Sequence, residues 1–449
     1  MVKEIIVIGS GAAGMTAASS ARRTNQDAKI TVFTEDSDIA YSPCVIPWAI
    51  EGKIPWEKMI MHTTDHYSQK GINVHIRTKV DSVDDAAKTV SVGGESYRYD
   101  SLIIATGGKV FVPPINGTGL EGVFIVRTVQ DGKDIQSYAE NVKKVVVCGA
   151  GVIGLEIAMA FSHMGKDVTV IEMMDQVIPR LADKDIADPV QEYLEDKGIK
   201  IVLRSQVQSI NGTGNVGSVT AGNKEYPCEM VILATGVRPN IDIPKQIGLD
   251  IGQLGAVVVS PSLQPYKKGR LVPDIYVAGD VIECRSAAMP GPTMSQLGTS
   301  AVRQGEVAGT NAAGGKTLYG PVASPWISAI DDLEIACTGL SASLASWYGV
   351  DVVIGKTEGL TRARYYPDAK KMTVKIIADA TSHRIIGAQI LTGEGATGRI
   401  NWLTSAIISG ITAEDFIVRS ENAYCPPTSM VKDVVISAVE DLCNNFKAK

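Results

Sequence analysis

The chain has 449 residues, enough for about three domains, and its 45% hydrophobic and 20% charged residues exclude a disordered chain or a small stapled scaffold. A formal charge of -6 offers no footprint for nucleic acid. Seven scattered cysteines without a C-x-x-C pair argue against a metal site and a disulfide framework. The first residues lack a secretory pattern, which makes the cytoplasm the expected compartment. No membrane span is expected, since the longest apolar run, residues 145–165, carries Glu156 and four glycines.

In chain order, residues 5–8 read as a buried parallel strand, Gly9-Ser10-Gly11-Ala12-Ala13-Gly14 as a tight turn, residues 15–23 as a helix and residues 30–33 as a second strand. Residues 80–97 alternate like a hairpin, and residues 99–107 read as a buried strand ending in Ala105-Thr106-Gly107. The same grammar then returns. Residues 145–147 are strand-like, Gly149-Ala150-Gly151-Val152-Ile153-Gly154 is the turn, residues 155–164 are helical and residues 168–171 form the next strand. A second hairpin-like stretch, 207–226, leads to a strand ending in Thr235-Gly236. After Ala278-Gly279-Asp280 and a helical pattern through residue 311 the glycine motifs stop. Strand-like runs at 371–378 and 384–391, with a helical pattern at 400–409, suggest an α+β module from about residue 325. The expected fold class is α/β, with two Rossmann-like dinucleotide-binding domains and a C-terminal α+β domain.

Each glycine triplet has a physical task. The first glycine (Gly9, Gly149) permits the turn, the second (Gly11, Gly151) lets backbone approach a pyrophosphate, and the third (Gly14, Gly154) lets helix pack on strand. The turn residues Ala12, Ala13, Val152 and Ile153 then lead into helix N-termini, where N–H groups and the dipole favour an anion. An acid follows each second strand, Glu35 and Glu172, suited to a ribose diol. A glycine-rich turn without a ligand is the plainer reading of one such motif; strand, helix, acid and repetition together point to two dinucleotide sites. Glu172 would repel a 2′-phosphate, which favours NADH and leaves NADPH open.

On these motifs the chain resembles the pyridine nucleotide-disulfide oxidoreductases over essentially its whole length. Further marks are both Thr-Gly hinges, the second within Ala234-Thr235-Gly236-Val237-Arg238-Pro239-Asn240, and Ala278-Gly279-Asp280. The resemblance implies an FAD domain (residues 1–112 and 245–324), an inserted NAD(P)H domain (113–244) and a dimerisation domain (325–449). It places Asp280 at the flavin ribitol, Leu297, Gly298 and Thr299 at the flavin pyrimidine, and Val80 at adenine. Glu156 falls near the nicotinamide, and Ser42, Ala105, Thr106, Gly107, Gly236 and Gly279 are further cofactor contacts.

The redox segment separates the subgroups. The chain has neither a C-x-x-x-x-C pair nor a C-terminal His-Pro dyad. It has Tyr41-Ser42-Pro43-Cys44-Val45, which resembles the single-cysteine motif of coenzyme A disulfide reductases, NADH oxidases and NADH peroxidases, with departures at Ala40 and Val45. A lone thiol cannot store two electrons as an internal disulfide, so Cys44 must pair with a small thiol, a persulfide sulfur or a sulfenic oxygen. Tyr424-Cys425-Pro426-Pro427 and Tyr365-Tyr366-Pro367 resemble the coenzyme A disulfide reductase segments whose tyrosines reach across the dimer. They imply that Tyr424, with Tyr365 beside it, steers or protonates the departing thiolate. Whether Tyr365 or Tyr366 faces the site, and what Cys425 does, stay open. Arg22 and Arg23 match the region that meets the coenzyme A phosphates, although basic residues at a helix end also serve its dipole.

The resulting expectation is a homodimeric, FAD-dependent NAD(P)H oxidoreductase acting on coenzyme A disulfide or a related small disulfide, persulfide or polysulfide. One alternative is an NADH oxidase that cycles Cys44 through a sulfenic acid. The other, from a different class, is a non-catalytic redox sensor that binds flavin and NADH.

Overall fold

The computed structural model describes residues 2–448. Its framework begins with β1 (Glu4–Ile8), α1 (Ala12–Thr24), β2 (Lys29–Phe33), α2 (Ile46–Ile50), β3 (Ile72–His75), β4 (Ser101–Ile104), β5 (Val123–Ile125), α3 (Val129–Ala139), β6 (Lys144–Cys148), α4 (Val152–His163) and β7 (Asp167–Ile171). It continues with α5 (Lys184–Asp196), β8 (Lys200–Val202), β9 (Met230–Leu233), β10 (Ile275–Val277), α6 (Gly298–Ala312), β11 (Trp326–Ile330) and β12 (Leu333–Gly339). The last elements are β13 (Val352–Leu360), β14 (Lys371–Asp379), β15 (Ile385–Thr392), α7 (Ala396–Ser409) and α8 (Val434–Ala448).

Two five-stranded parallel sheets repeat one topology, β3-β2-β1-β4-β10 and β8-β7-β6-β9-β5. In each, the strand leading into the glycine turn is central and the strand order reverses beside it, which opens a crevice at the carboxyl ends of the strands. β4 and β9 are buried throughout, which is why the sequence shows unbroken apolar runs there. α1 and α4 begin at Ala12 and Val152, three residues before the helical starts expected from the apolar pattern. The third glycine of each triplet lies inside the first helical turn, not ahead of it.

The third sheet, β11-β12-β15-β14-β13, is antiparallel. Its period of two divides two cores. Ala336 and Ile390 pack with residues of α7 and α8, whereas Ile335, Cys337 and Leu391 join the core of the second parallel unit. α2 lies between β2 and β3 of the first unit in sequence yet packs on the second: Ile46, Ala49 and Ile50 share a core with Ile135 and Leu155. Among the described residues no helix is long and apolar enough to cross a membrane, and no group of three or more His, Cys, Asp or Glu could hold a metal ion.

Candidate functional site

The first turn is built by close approach. Gly9 has φ +105°, and a Cβ on it would stand 2.2 Å from the Ala105 carbonyl oxygen. A Cβ on Gly14 would stand 1.9 Å from the Gly9 oxygen. Gly11 is the N-cap of α1, without a side-chain cap and facing open space, so the free N–H groups of the first turn, which Ala12 opens, meet whatever lies in the crevice. The second turn repeats this geometry. Gly149 has φ +109° and would bring a Cβ to 2.4 Å from Ala234, Gly154 would bring one to 2.1 Å from Gly149, and Gly151 caps α4. Between the two units the Thr-Gly hinges meet. Thr106 donates to the Asn240 carbonyl at 2.7 Å, the Asn240 N–H donates to Gly107 at 2.8 Å, and the Phe111 N–H donates to Gly236 at 2.8 Å.

Carboxylates gather at the first crevice. Asp280 lies 3.4 Å from the Arg127 guanidinium; burial pushes its pKa up, and Arg127 opposes this. The neighbouring Gly279 donates its N–H to the buried Gln304 at 2.7 Å and packs on Ala13. Leu297 is the N-cap of α6, which Gly298 and Thr299 open; a Cβ on Gly305 would stand 2.4 Å from the Ala13 oxygen, so α6 lies directly on α1. Glu35 is exposed and lines a cavity of about 310 Å³ with Asp36, Asp38, Tyr41, Arg77 and Thr128. Burial and the Glu35 charge push Asp36 up. A larger open cavity of about 740 Å³, lined by Glu121, Phe124 and Tyr138, holds none of the candidate residues. An uncapped helix N-terminus, two glycines with no room for a side chain and a half-buried carboxylate fit a dinucleotide, whose pyrophosphate accepts and whose hydroxyls donate. Val80 is buried in the core of the first unit, and Ser42 caps the turn that carries Cys44.

At the second crevice the acid is turned inward. Glu172 is buried and accepts the N–H groups of Ala150 at 2.9 Å and Met174 at 2.8 Å, bracing the glycine turn that includes Val152 and Ile153. Glu156 on α4 accepts the Ser328 hydroxyl of β11 at 2.6 Å, and burial pushes its pKa up to about 7. A carboxyl raised by folding keeps a proton that the unfolded chain releases near pH 4.5, so its cost grows between about 4.5 and about 7 and is constant above. Glu156→Gln is therefore expected to be more stable than the parent by up to about 3 kcal/mol above pH 7, with almost no difference at pH 4.5, as read by denaturant unfolding across pH.

Cys44 is exposed on the turn Pro43–Val45 that runs into α2. Tyr365 and Tyr424, 59 residues apart, meet with their hydroxyls 2.6 Å apart. Hydrogen bonding to Tyr365 raises the Tyr424 phenol above its usual value. Both rings are exposed, and neither bonds to Cys44 within the chain. Arg22 is spent on structure, donating to the carbonyls of Gln26 and Gly71 at 2.5 and 2.6 Å. Arg23 is exposed and donates to Ser20. Both lie at the opposite end of α1 from its glycine turn.

Two residues escape the sequence reading. Arg127 precedes a capping-box helix start, and that Thr128-to-Asp131 spacing is its available signal. Gln136 acts only across long sequence separations and carries no local signature.

In comparison with known proteins, the family described as pyridine nucleotide-disulphide oxidoreductase matches residues 3–305, and its dimerisation domain matches residues 327–434. A relative from Methanocaldococcus jannaschii named NADH oxidase is 43% identical, covering 99% of each chain. A relative from Pyrococcus horikoshii named NAD(P)H coenzyme A polysulfide/persulfide reductase is 34% identical, covering 97% of each. The solved structure of an NAD-dependent persulfide reductase from A. fulgidus superposes with a TM-score of 0.94 at 32% identity, covering 99% of this chain and 84% of that one.

Proposed function

The chain belongs to the pyridine nucleotide-disulphide oxidoreductase family and is an FAD-dependent NAD(P)H oxidoreductase, and from that premise we propose that it reduces coenzyme A disulfide or a related small disulfide, persulfide or polysulfide through Cys44. The observation that carries this reading is the exposed Cys44 thiol at the start of α2, in a chain whose cysteines are all free and, Cys425 apart, otherwise buried or half-buried. Free cysteines throughout also suit a reducing cytoplasm. We assign residues 1–112 and 245–324 to FAD, 113–244 to NAD(P)H and 325–449 to dimerisation. The first glycine turn, Glu35, Asp280 and residues 297–299 would hold FAD; the second turn, Glu172 and Glu156 would hold the nicotinamide nucleotide. Bound there, FAD would supply two-electron transfer between NAD(P)H and the sulfur centre.

Cys44 as thiolate attacks one sulfur of the disulfide R–S–S–R; a Cys44–S–S–R bond forms, the R–S–S–R bond breaks, and RS⁻ leaves with the electron pair. The phenol of Tyr424, held protonated by its bond to Tyr365, is placed to give that thiolate a proton. Because the pair is exposed and does not reach Cys44 of its own chain, the reading puts it over Cys44 of the partner subunit in a homodimer. Arg23, exposed where Arg22 is engaged, is the better placed of the two for coenzyme A phosphates. The NADH oxidase reading is favoured by the name of the Methanocaldococcus relative.

Anaerobic NAD(P)H turnover with coenzyme A disulfide, polysulfide and oxidised glutathione, set beside turnover in air, tests the proposal. Disulfide or polysulfide turnover above the aerobic background supports it; full turnover with dioxygen and none with sulfur acceptors transfers the function to the oxidase. The glycine turns supply a second check. Gly14→Ala and Gly154→Ala each force a Cβ onto backbone oxygen, at a cost of about 1–3 kcal/mol. Gly14→Ala is expected to lose visible flavin absorbance on purification, whereas Gly154→Ala keeps it and raises the KM for NAD(P)H by about tenfold.

A further inference from the structure

Cys44 sits on a turn that runs directly into α2, a helix of five residues. A helix that short does not stand alone, and its last carbonyls need partners. Backbone N–H groups reach the carbonyls of Pro47, Trp48 and Ala49, and one side chain of α3 adds a second bond to Ala49 and provides for Ile50. Gln136 Nε2 donates to the carbonyls of Ala49 and Ile50, each at 3.0 Å, while its Oε1 accepts the Trp56 indole N–H at 2.8 Å. An indole N–H can only donate, so the carboxamide has one orientation, oxygen to Trp56 and nitrogen to the helix end. One turn earlier on α3, Gly132 makes room for the indole; a Cβ there would stand 2.5 Å from the Trp56 ring and 3.0 Å from Ile46. The other end of α3 lies at the flavin side. Thr128 and Asp131 form its capping box, and the preceding Arg127 reaches Asp280. This helix of 11 residues, about 16 Å long, thus spans from Asp280 to the segment that carries Cys44.

From this geometry we infer that Gln136 is a positioning residue, fixing the Cys44 turn relative to the flavin side of the site through α2, without touching the thiol. The inference rests on the reading of Cys44 as the redox centre. Two variants separate the bonds from the bulk. Gln136→Glu keeps an acceptor for Trp56 but turns an oxygen toward the two helix carbonyls; Gln136→Met keeps the size and removes both bonds.

In the flavin-loaded holoenzyme the readout is the rate with coenzyme A disulfide divided by the rate with ferricyanide, which takes electrons from flavin without a thiol. A misplacement of about 1 Å costs up to about 100-fold, so this ratio is expected to fall about 10- to 100-fold in Gln136→Glu and in the same direction in Gln136→Met. The pH profile of Cys44 alkylation is expected to move in both. Parental ratios and parental alkylation profiles in both variants would overturn the inference; if one variant loses its flavin, the other decides. Cys44→Ser measured alongside keeps the failures apart. If it retains disulfide reduction, the redox reading falls and this inference with it. If it is inactive while the Gln136 variants keep the parental ratio, only the inference falls.

Discussion

Cys44→Ser is expected to lose NAD(P)H-dependent disulfide reduction by about 10³-fold or more while retaining its flavin and its ferricyanide reduction. A thiol of ordinary pKa is a few per cent thiolate at pH 7, and serine has no comparable nucleophile to offer a disulfide. Five of the other six cysteines are buried or half-buried. Burial pushes the thiols of Cys148, Cys228 and Cys284 up to about 12 and that of Cys337 higher still, so they stay protonated. Cys425 is exposed but sits beside Tyr424 on the C-terminal domain. Anaerobic NAD(P)H consumption with coenzyme A disulfide reads the result; a parental rate in the variant would place the chemistry on another group.

Lys375→Met is expected to cost about 3–5 kcal/mol of stability. Lys375 lies 3.0 Å from Asp183 and 2.7 Å from Asp185 at the seam between the second parallel unit and the third sheet, and the side chains of Lys375 and Asp183 are 6% and 5% exposed. Asp183 also accepts the N–H groups of Ala342 and Ser343 and the Gln389 amide. Burial pushes its carboxyl up, but the bonds from Ser343 and Ala342, together with Lys375, outweigh it and hold the group below its usual range. An acid depressed in this way stabilises the fold above its unfolded value of 3.8 and loses that contribution as the pH falls through the folded one. The gap between parent and variant should therefore be full at pH 7 and narrow in acid. Asp183→Asn combined with Lys375→Met should recover part of the loss, because no unpaired charge is left buried. Denaturant unfolding at both pH values gives the answer; a gap that widens in acid would refute the assignment.

The parts of this molecule legible in its sequence are those whose physics is local. Gly14 and Gly154 are demanded by backbone approach to Gly9 and Gly149 within the same turn, and Gly9 and Gly149 by the positive φ of that turn, so the turns, the parallel strands around them and the repeat between the two units are all readable from spacing. Tyr365 and Tyr424 are legible only through resemblance, and the 2.6 Å contact between them has no local cause in either segment. What the sequence hides is contact made across the chain. Gln136 bonds to carbonyls 86 and 87 residues away, and Asp183 meets Gln389 across 206 residues. The inward turn of Glu172 is hidden for a different reason, since an acid after a second strand has the same spelling whether its carboxylate faces a ribose or braces its own turn.

The most direct measurement is the mass of the Cys44 peptide after enzyme with a free Cys44 thiol and oxidised flavin has met one equivalent of coenzyme A disulfide without NAD(P)H. The account predicts a coenzyme A adduct on Cys44, one equivalent of coenzyme A thiol released, and loss of the adduct when NAD(P)H is added. An unmodified Cys44, or an adduct confined to Cys425, would contradict it.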